Sequence, residues 1–442
     1  MSVSIDMKKL AGLVRELEDQ LSACTRCGMC QTVCPLYRET ARESSVARGK
    51  LAILGGLMEE AFKEPRRSLE QISRCLLCGA CEANCPSGVQ VLDIFLKARA
   101  ILVEYLGLPP AKRVVFRRFL ARPERFNRLL SWGARVQGLF IKPANDLLGT
   151  SCARFSSPLA DRHFKALAAV PFHRQPRKEN PKARPAGIKA AFFYGCLIDK
   201  IYPEIGQAVL KSLDHFQVDV FLPAGQGCCG LPALSAGDRH TFNQLLIYNL
   251  DCLEGQPFEV LVTACPTCAA TIKKIWPVMA RDLTADQLDR VRGLAEKTMD
   301  ITDFLMRQVG VPFPVSPESK EVKPVITYHD PCHLRKSLGV FAPPRALLQG
   351  DTRCHFKEMA EAEACCGCGG SFTLEYYELS SAVGARKRAA ILASGAEVVA
   401  TACPACMLQL IDLLSKGGDS VRVKHVIELF AERLNPFQQA IS

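Results

Sequence analysis

The chain of 442 residues has no apolar run approaching ~18 residues, so no helix in it is expected to span a bilayer. Its first residues, MSVSIDMKKLAGLVRELEDQL, lack a basic segment followed by an apolar one and carry acids early. That excludes the secretory pattern and predicts a cytoplasmic protein, with peripheral attachment to the inner face of the cell membrane as the variant consistent with its basic charge. No helix-turn-helix or other nucleic-acid module stands out, despite a formal net charge of +11. No flavin or nicotinamide site is evident either, and no obvious base for oxidising a substrate. Gly225-Gln-Gly227-Cys-Cys-Gly230 matches a dinucleotide fingerprint after a strand, with Asp251 downstream. A second copy of the element, however, has Ala362 and Ala364 in place of the first two glycines and keeps only Cys-Cys-Gly, so the nucleotide reading is rejected.

Cysteine is what the chain has in excess, 22 residues of it. A disulfide framework belongs to short exported domains, whereas here most cysteines sit two or three residues apart, which favours shared metal. Cys24-x-x-Cys27-x-x-Cys30-x-x-x-Cys34-Pro35 is followed by Cys75-x-x-Cys78-x-x-Cys81-x-x-x-Cys85-Pro86, the two-cluster bacterial ferredoxin run written twice. In that run three thiolates converge on one cubane and the fourth reaches the other. The expected sets are therefore Cys24, Cys27, Cys30 and Cys85 for one [4Fe-4S] cluster, and Cys75, Cys78, Cys81 and Cys34 for a second. Zinc sites use four ligands in two pairs and explain this phase poorly. Each cluster with its thiolates carries about −2, which brings the net charge to roughly +7.

The intervening sequence looks helical. Leu10, Leu13, Val14, Leu17 and Leu21 share one face over 6–22. Residues 48–63 and 89–106 repeat the pattern, the former weakened by Gly55-Gly56. The expectation is an α-helical ferredoxin domain over 1–108. Beyond it, 109–187 reads as a basic helical segment followed by a Pro-rich linker. Lys112, Arg113, Arg117, Arg118, Arg122, Arg125, Arg128, Arg135 and Lys142 face a single acid, Glu124, and alternate with Phe and Leu side chains and Trp132. Such a pair of helices suits an anionic membrane, an acidic partner, or simply a solvated face between domains.

From residue 188 one unit occurs twice, over 188–318 and 319–442. Ala190–Tyr194 leads to Cys196, Val218–Leu222 to Cys228-Cys229-Gly230, and Val260–Val262 to Cys265-Pro-Thr-Cys268. The second copy runs from Val325–Tyr328 to Cys332, then Cys365-Cys366-Gly367, then Cys403-Pro-Ala-Cys406. "TACPTC" and "TACPAC" mark the duplication. Strands alternating with helices argue for small parallel sheets with thiols at their C-terminal edges. Five thiols per copy, two of them adjacent, suit a multi-iron cluster better than four-coordinate zinc.

These motifs together resemble the CCG-domain, heterodisulfide reductase-like iron–sulfur proteins, nearest to the iron–sulfur subunits of glycolate oxidase and D-lactate dehydrogenase. The runs CTRCGMCQTVCPLYRET, with Arg48-Gly49, and RCLLCGACEANCPSGV carry that likeness. The resemblance implies a helical ferredoxin domain followed by two α/β CCG repeats. It implies one or two further [4Fe-4S] clusters, non-cubane in type, held by Cys196, Cys228, Cys229, Cys265 and Cys268 and by Cys332, Cys365, Cys366, Cys403 and Cys406. It implies electron transfer, without catalysis, from an FAD-linked dehydrogenase subunit that oxidises glycolate or D-lactate to a quinone, cytochrome or other carrier. Two rivals stand beside it: a catalytic heterodisulfide reductase-type subunit that reduces a disulfide, and the iron–sulfur subunit of an anaerobic glycerol-3-phosphate dehydrogenase. His329 and His333 flank Cys332 and are expected to hydrogen-bond rather than to catalyse. Cys152, Cys252 and Cys354 fit no motif and are expected as ordinary buried thiols, and Cys368, aligned with Leu231, as a spare.

Overall fold

The computed structural model describes residues 6–155, 161–176, 187–312 and 323–434. The N-terminal domain is helical, built from Met7–Val14, Ala47–Met58, Pro65–Ser73 and Val91–Leu106, with short helices Met29–Val33, Pro35–Thr40 and Ala80–Ala83 beside the cysteines. Leu10, Val14 and Leu17 are buried, as their helical spacing predicts, against Leu51, Leu54, Leu57, Ile94 and Ala98. The glycine pair does not break the second helix: Gly55 and Gly56 lie inside Ala47–Met58.

The basic segment begins as expected, with Pro110–Arg113 running on into the wider turns of Val114–Leu120 and then Pro123–Val136. It continues in a way the sequence did not announce, as a small antiparallel sheet of β1 (Ile141–Asn145), β2 (Thr150–Ala153) and β3 (Phe164–Lys165). These strands are short and carry mixed polar residues, so neither period emerges from the sequence. The prolines of the expected linker fall mostly in 177–186, outside the described residues.

The duplicated units form two four-stranded parallel sheets. The first contains β4 (Lys189–Phe192), β5 (Asp219–Phe221), β6 (Val260–Thr263) and β7 (Thr298–Asp300) in the order β5-β4-β6-β7. The second contains β8 (Val325–His329), β9 (His355–Phe356), β10 (Val398–Thr401) and β11 (Arg422–His425) in the order β9-β8-β10-β11. The topology is the same in both. Central strands β6 and β10 are buried along their whole length, which is why they read as unbroken apolar runs. The edge strands β7, β9 and β11 are short and partly polar, and carry no strand pattern legible in the sequence.

The two copies interlock. The helix after β4, Pro203–His215, packs on the last helix, Val426–Arg433, with Phe216 stacked on Phe430 at 6.1 Å. His425, at the end of β11, reaches into the other copy, where its Nε2–H donates to the Ala264 carbonyl at 3.1 Å. Burial pushes the His425 pKa down to about 4, so the ring is neutral and its Nδ1 is free to accept from the Ile427 amide. Arg99, 3% exposed, joins the helical domain to the first unit by donating to the carbonyls of Ile72, Ser73, Cys75 and Ser235.

Each Cys-Cys pair is followed by a glycine with left-handed backbone, Gly230 at φ 93° and Gly367 at φ 90°. A Cβ on Gly367 would sit 2.3 Å from the Ser380 carbonyl oxygen. Gly367→Ala is therefore expected to destabilise the fold by about 1–3 kcal/mol from backbone strain alone. Gly293→Ala, in a helix with open space around it, is expected to stabilise by about 0.5–1 kcal/mol. Urea midpoints of the two variants should move in opposite directions.

Candidate metal centres

The helical domain contains two adjoining hollows. Cys24, Cys27, Cys30, Cys81 and Cys85 line one. Cys34, Cys75, Cys78 and Cys81 line the other. The fourth cysteine of each run lines the hollow of the other run, Cys85 the first and Cys34 the second, while Cys81 lines both. The loops that do this are strained in the same place: Arg26 and Leu77, each just before the second cysteine of its run, are left-handed at φ 58° and 51°. That conformation costs a non-glycine residue roughly 1–2 kcal/mol, and it turns the two-residue spacer so that the thiols flanking it face one hollow. Arg48 fixes the first loop, donating to the Arg26 carbonyl at 3.1 Å while paired with Glu43 at 2.6 Å. Lys50, fully buried, donates to the Ser44 carbonyl behind the second hollow. Burial lowers its pKa to about 8, and the nearby Cys75 and Cys34 thiols oppose that shift.

In each parallel sheet the cysteines lie beyond the C-terminal strand ends, around the point where strand order reverses between the first and third strands. Loops diverge there and leave a crevice, the usual ligand position in open parallel sheets. The thiols of the first set form a chain of neighbours, Cys196 to Cys228 at 3.8 Å, then Cys229, Cys268 and Cys265. The second set repeats it as Cys332, Cys365, Cys366, Cys406 and Cys403. In both pairs the second thiol is held well below the usual thiol range, Cys229 by hydrogen bonds from Cys228 and Cys268, and Cys366 by those from Cys365 and Cys406. The first loop is braced by Asn249, whose side chain accepts from the Gly227 amide and donates to the Cys228 carbonyl, both at 2.9 Å. Trp276 Nε1–H donates to the Cys229 carbonyl at 3.0 Å.

The tertiary structure adds a juxtaposition absent from the motifs. Cys78 of the helical domain is a hydrogen-bonding neighbour of Cys332 and Cys365; the Cys332 contact and burial push its pKa up to about 12, against the Cys365 contact, which lowers it. Beside them His333 sits among three cysteine motifs. Its Nε2–H donates to the Leu77 carbonyl at 3.2 Å, and its Nδ1 accepts from the Thr267 hydroxyl at 3.1 Å. Leu77 lies between Cys75 and Cys78, and Thr267 between Cys265 and Cys268. Burial lowers the His333 pKa, consistent with this neutral form.

The two sets differ in their surroundings. His329, fully buried, has no oxygen or nitrogen partner at either ring nitrogen and faces Cys366 and Cys406, the three ligand atoms lying within 4.8 Å of one another. Its counterpart in the first copy is Phe193. Lys336 lies beside Cys332, Cys78 and Cys365, whose charges outweigh its burial and hold the ammonium up. The equivalent Lys200 is instead paired with Asp199 at 2.6 Å. Cys368 is buried close to Cys366 and Cys403 but outside the chain of thiol contacts. Cys152, Cys252 and Cys354 stand apart from every set and are half-buried rather than buried, because each occupies a peripheral strand, helix end or turn. Asp251 of the rejected nucleotide motif pairs with Arg290 at 3.5 Å. His329 and Lys336 were the residues least legible in sequence; their one-dimensional signal was the proximity to Cys332.

A 4Fe-4S dicluster domain family matches residues 20–89, and a cysteine-rich (CCG) domain family matches 190–273 and 326–411. The chain is 28% identical to the probable glycolate oxidase iron-sulfur subunit of Bacillus subtilis over 98% of both chains. It is 30% identical to lactate utilization protein A of an Exiguobacterium species, over 55% of this chain and 96% of that one. It is 25% identical to a subunit of the dihydromethanophenazine:CoB–CoM heterodisulfide reductase of Methanosarcina acetivorans, over 98% of this chain and 97% of that one. Among solved structures, a hypothetical protein from Helicobacter pylori shares the fold at a TM-score of 0.51 and 11% identity, covering 98% of this chain and 78% of that one.

Asn249→Ala would orphan the Gly227 amide and the Cys228 carbonyl. It should cost about 1–3 kcal/mol per orphaned group and loosen the first thiol set, read as a lower urea midpoint and faster iron loss to a chelator.

Proposed function

The chain belongs to the CCG-domain iron–sulfur proteins, and from that premise we propose that it is the electron-transfer subunit of a flavin-dependent dehydrogenase complex acting on a 2-hydroxy acid, glycolate or D-lactate. Two cubane [4Fe-4S] clusters would be held by Cys24, Cys27, Cys30 and Cys85 and by Cys34, Cys75, Cys78 and Cys81. The two five-thiol sets would hold one further [4Fe-4S] cluster each, of non-cubane type. When bound, such clusters supply reversible one-electron carriage. The donor sets suit them: all-thiol, gathered, and partly shielded from water.

The observation that carries this reading is the continuity of the thiols. Cys81 borders both ferredoxin hollows, and Cys78 touches Cys332 and Cys365 of the second cysteine-rich set. Cys27, the one exposed cysteine among the described residues, stands at the outer end. A path therefore runs from surface to interior through the chain's own ligands, and His333 ties the first cysteine-rich set to the same junction. Electrons would come from an FAD-linked partner subunit and leave to a quinone, cytochrome or other carrier, in a cytoplasmic complex.

A second reading, disulfide reduction at the second set, is favoured by one feature. A cleft of about 530 Å³ opens between the helical domain and the second cysteine-rich unit, with Cys365 in its wall beside Arg335, Lys336 and Phe341. Only this second set combines such access with an imidazole beside its thiols, that of His329.

Anaerobic analysis of the purified chain should give about sixteen irons, against about eight if the cysteine-rich sets were empty. Cys403→Ser with Cys406→Ser should lower the value by about four. A 2-hydroxy acid should bleach the cluster absorption only when the flavoprotein partner is added. Turnover of a disulfide by the chain alone, with a reduced dye as donor, would instead support the second reading.

A further inference from the structure

Eight of the fifteen large hydrophobic side chains exposed among the described residues fall between 114 and 155. They lie on the basic segment and its small sheet. On its inner side this segment docks on the first cysteine-rich unit. Leu120 and Pro123 are buried, Pro123 packs over Gly227, and Arg117 pairs with Asp238 at 3.3 Å. The outer side has no such partner. On the helix Pro123–Val136, Leu129 and Trp132 are 40% and 62% exposed and share one face, flanked by Arg125, Arg128 and Arg135. Leu139 and Phe140 protrude where that helix gives way to β1, and Leu147 protrudes from the turn between β1 and β2.

The charge on this surface is almost entirely of one sign. Among the described residues no ion pair engages Arg118, Arg122, Arg125, Arg135 or Lys142, and Glu124 is the only acid between 109 and 145. Uncompensated cations repel one another, so their company with exposed Trp, Phe and Leu needs a partner that takes both kinds of group. An acidic protein would satisfy the charges, but apolar side chains carried on turns and separated by arginines have no groove to fill. An anionic lipid surface meets both demands. Its headgroups pair with the guanidinium ends, and its acyl boundary takes up the apolar side chains and the indole.

We propose that the outer face of residues 110–155 is a docking surface for an anionic lipid bilayer, with Trp132, Leu139 and Phe140 as inserting groups and Arg118, Arg125 and Arg135 as headgroup contacts. No helix among the described residues is long and apolar enough to cross a membrane, so the contact is peripheral. The inference rests on this surface alone and stands or falls independently of the electron-transfer reading.

The chain contains two tryptophans, and Trp276 is fully buried, so a change in indole emission on adding vesicles reports Trp132. The full-length protein should sediment with phosphatidylcholine vesicles containing phosphatidylglycerol and not with phosphatidylcholine alone. Its emission should shift to the blue, and high salt should reverse both effects. The triple variant Arg118→Glu, Arg125→Glu, Arg135→Glu should partition at least roughly 100-fold more weakly, with its iron content unchanged. Leu139→Ser with Phe140→Ser should weaken binding without altering its salt dependence. Trp132→Phe should abolish the shift while keeping most of the binding. No sedimentation with the anionic vesicles, equal sedimentation with both kinds, or undiminished binding by the iron-replete triple variant would overturn the proposal.

Discussion

Crowding many thiols into a dry interior is the constraint around which this structure is arranged. A thiolate in a low-dielectric site is disfavoured, and a second one beside it more so. Cys81 shows the effect directly: burial, followed by the neighbouring Cys75 and Cys78, pushes its thiol far up. Bringing such groups together serves a purpose only if cations arrive to share them, and metal binding supplies those cations. Much of the local architecture follows from this demand. Strained turns at Arg26 and Leu77, left-handed glycines after each vicinal pair, the buried Lys50 and Lys387 and the half-buried Lys336 all serve to gather sulfur or to offset its charge.

Duplication produced two similar frames for this chemistry, but their surroundings have diverged. The first set is enclosed, braced by Asn249 and Trp276, with its lysine neutralised by Asp199. The second has the imidazole of His329, a sixth thiol in Cys368, the Lys336 ammonium near its sulfurs and a cleft reaching Cys365. A more positive environment stabilises the more negative, reduced state of whatever the thiols hold, so the two sets are electrostatically unequal even though their ligand patterns are the same. The contact with Cys78 makes the second set the nearer neighbour of the ferredoxin module.

Where local pattern and burial agree, the fold was legible. Leu10, Val14 and Leu17 occupy the core that their spacing implies, and the apolar runs at 190, 260, 325 and 398 are the central strands. Strands β7, β9 and β11 escaped because an edge strand of two to four residues needs no hydrophobic pattern of its own; pairing with its neighbour defines it. The hairpin at 141–153 escaped for the same reason. His425 illustrates a deeper limit. Its role as a clasp between the two copies depends on Ala264, 161 positions away, and nothing local to either residue signals the contact.

By itself the sequence determined which atoms are available and in what local groups, because ligand spacing is a property of a few consecutive residues. The four-cysteine runs, the vicinal pairs with their glycines and the repeated Thr-Ala-Cys-Pro loops need only short-range geometry to be recognised. What only the tertiary structure decided is which groups meet. Cys78 touches Cys332 and Cys365 across more than 250 residues, and His333 spans three motifs, because the helical domain packs onto the strand ends of the second sheet. Long-range packing of that kind results from the whole buried surface acting together, so no single segment encodes it.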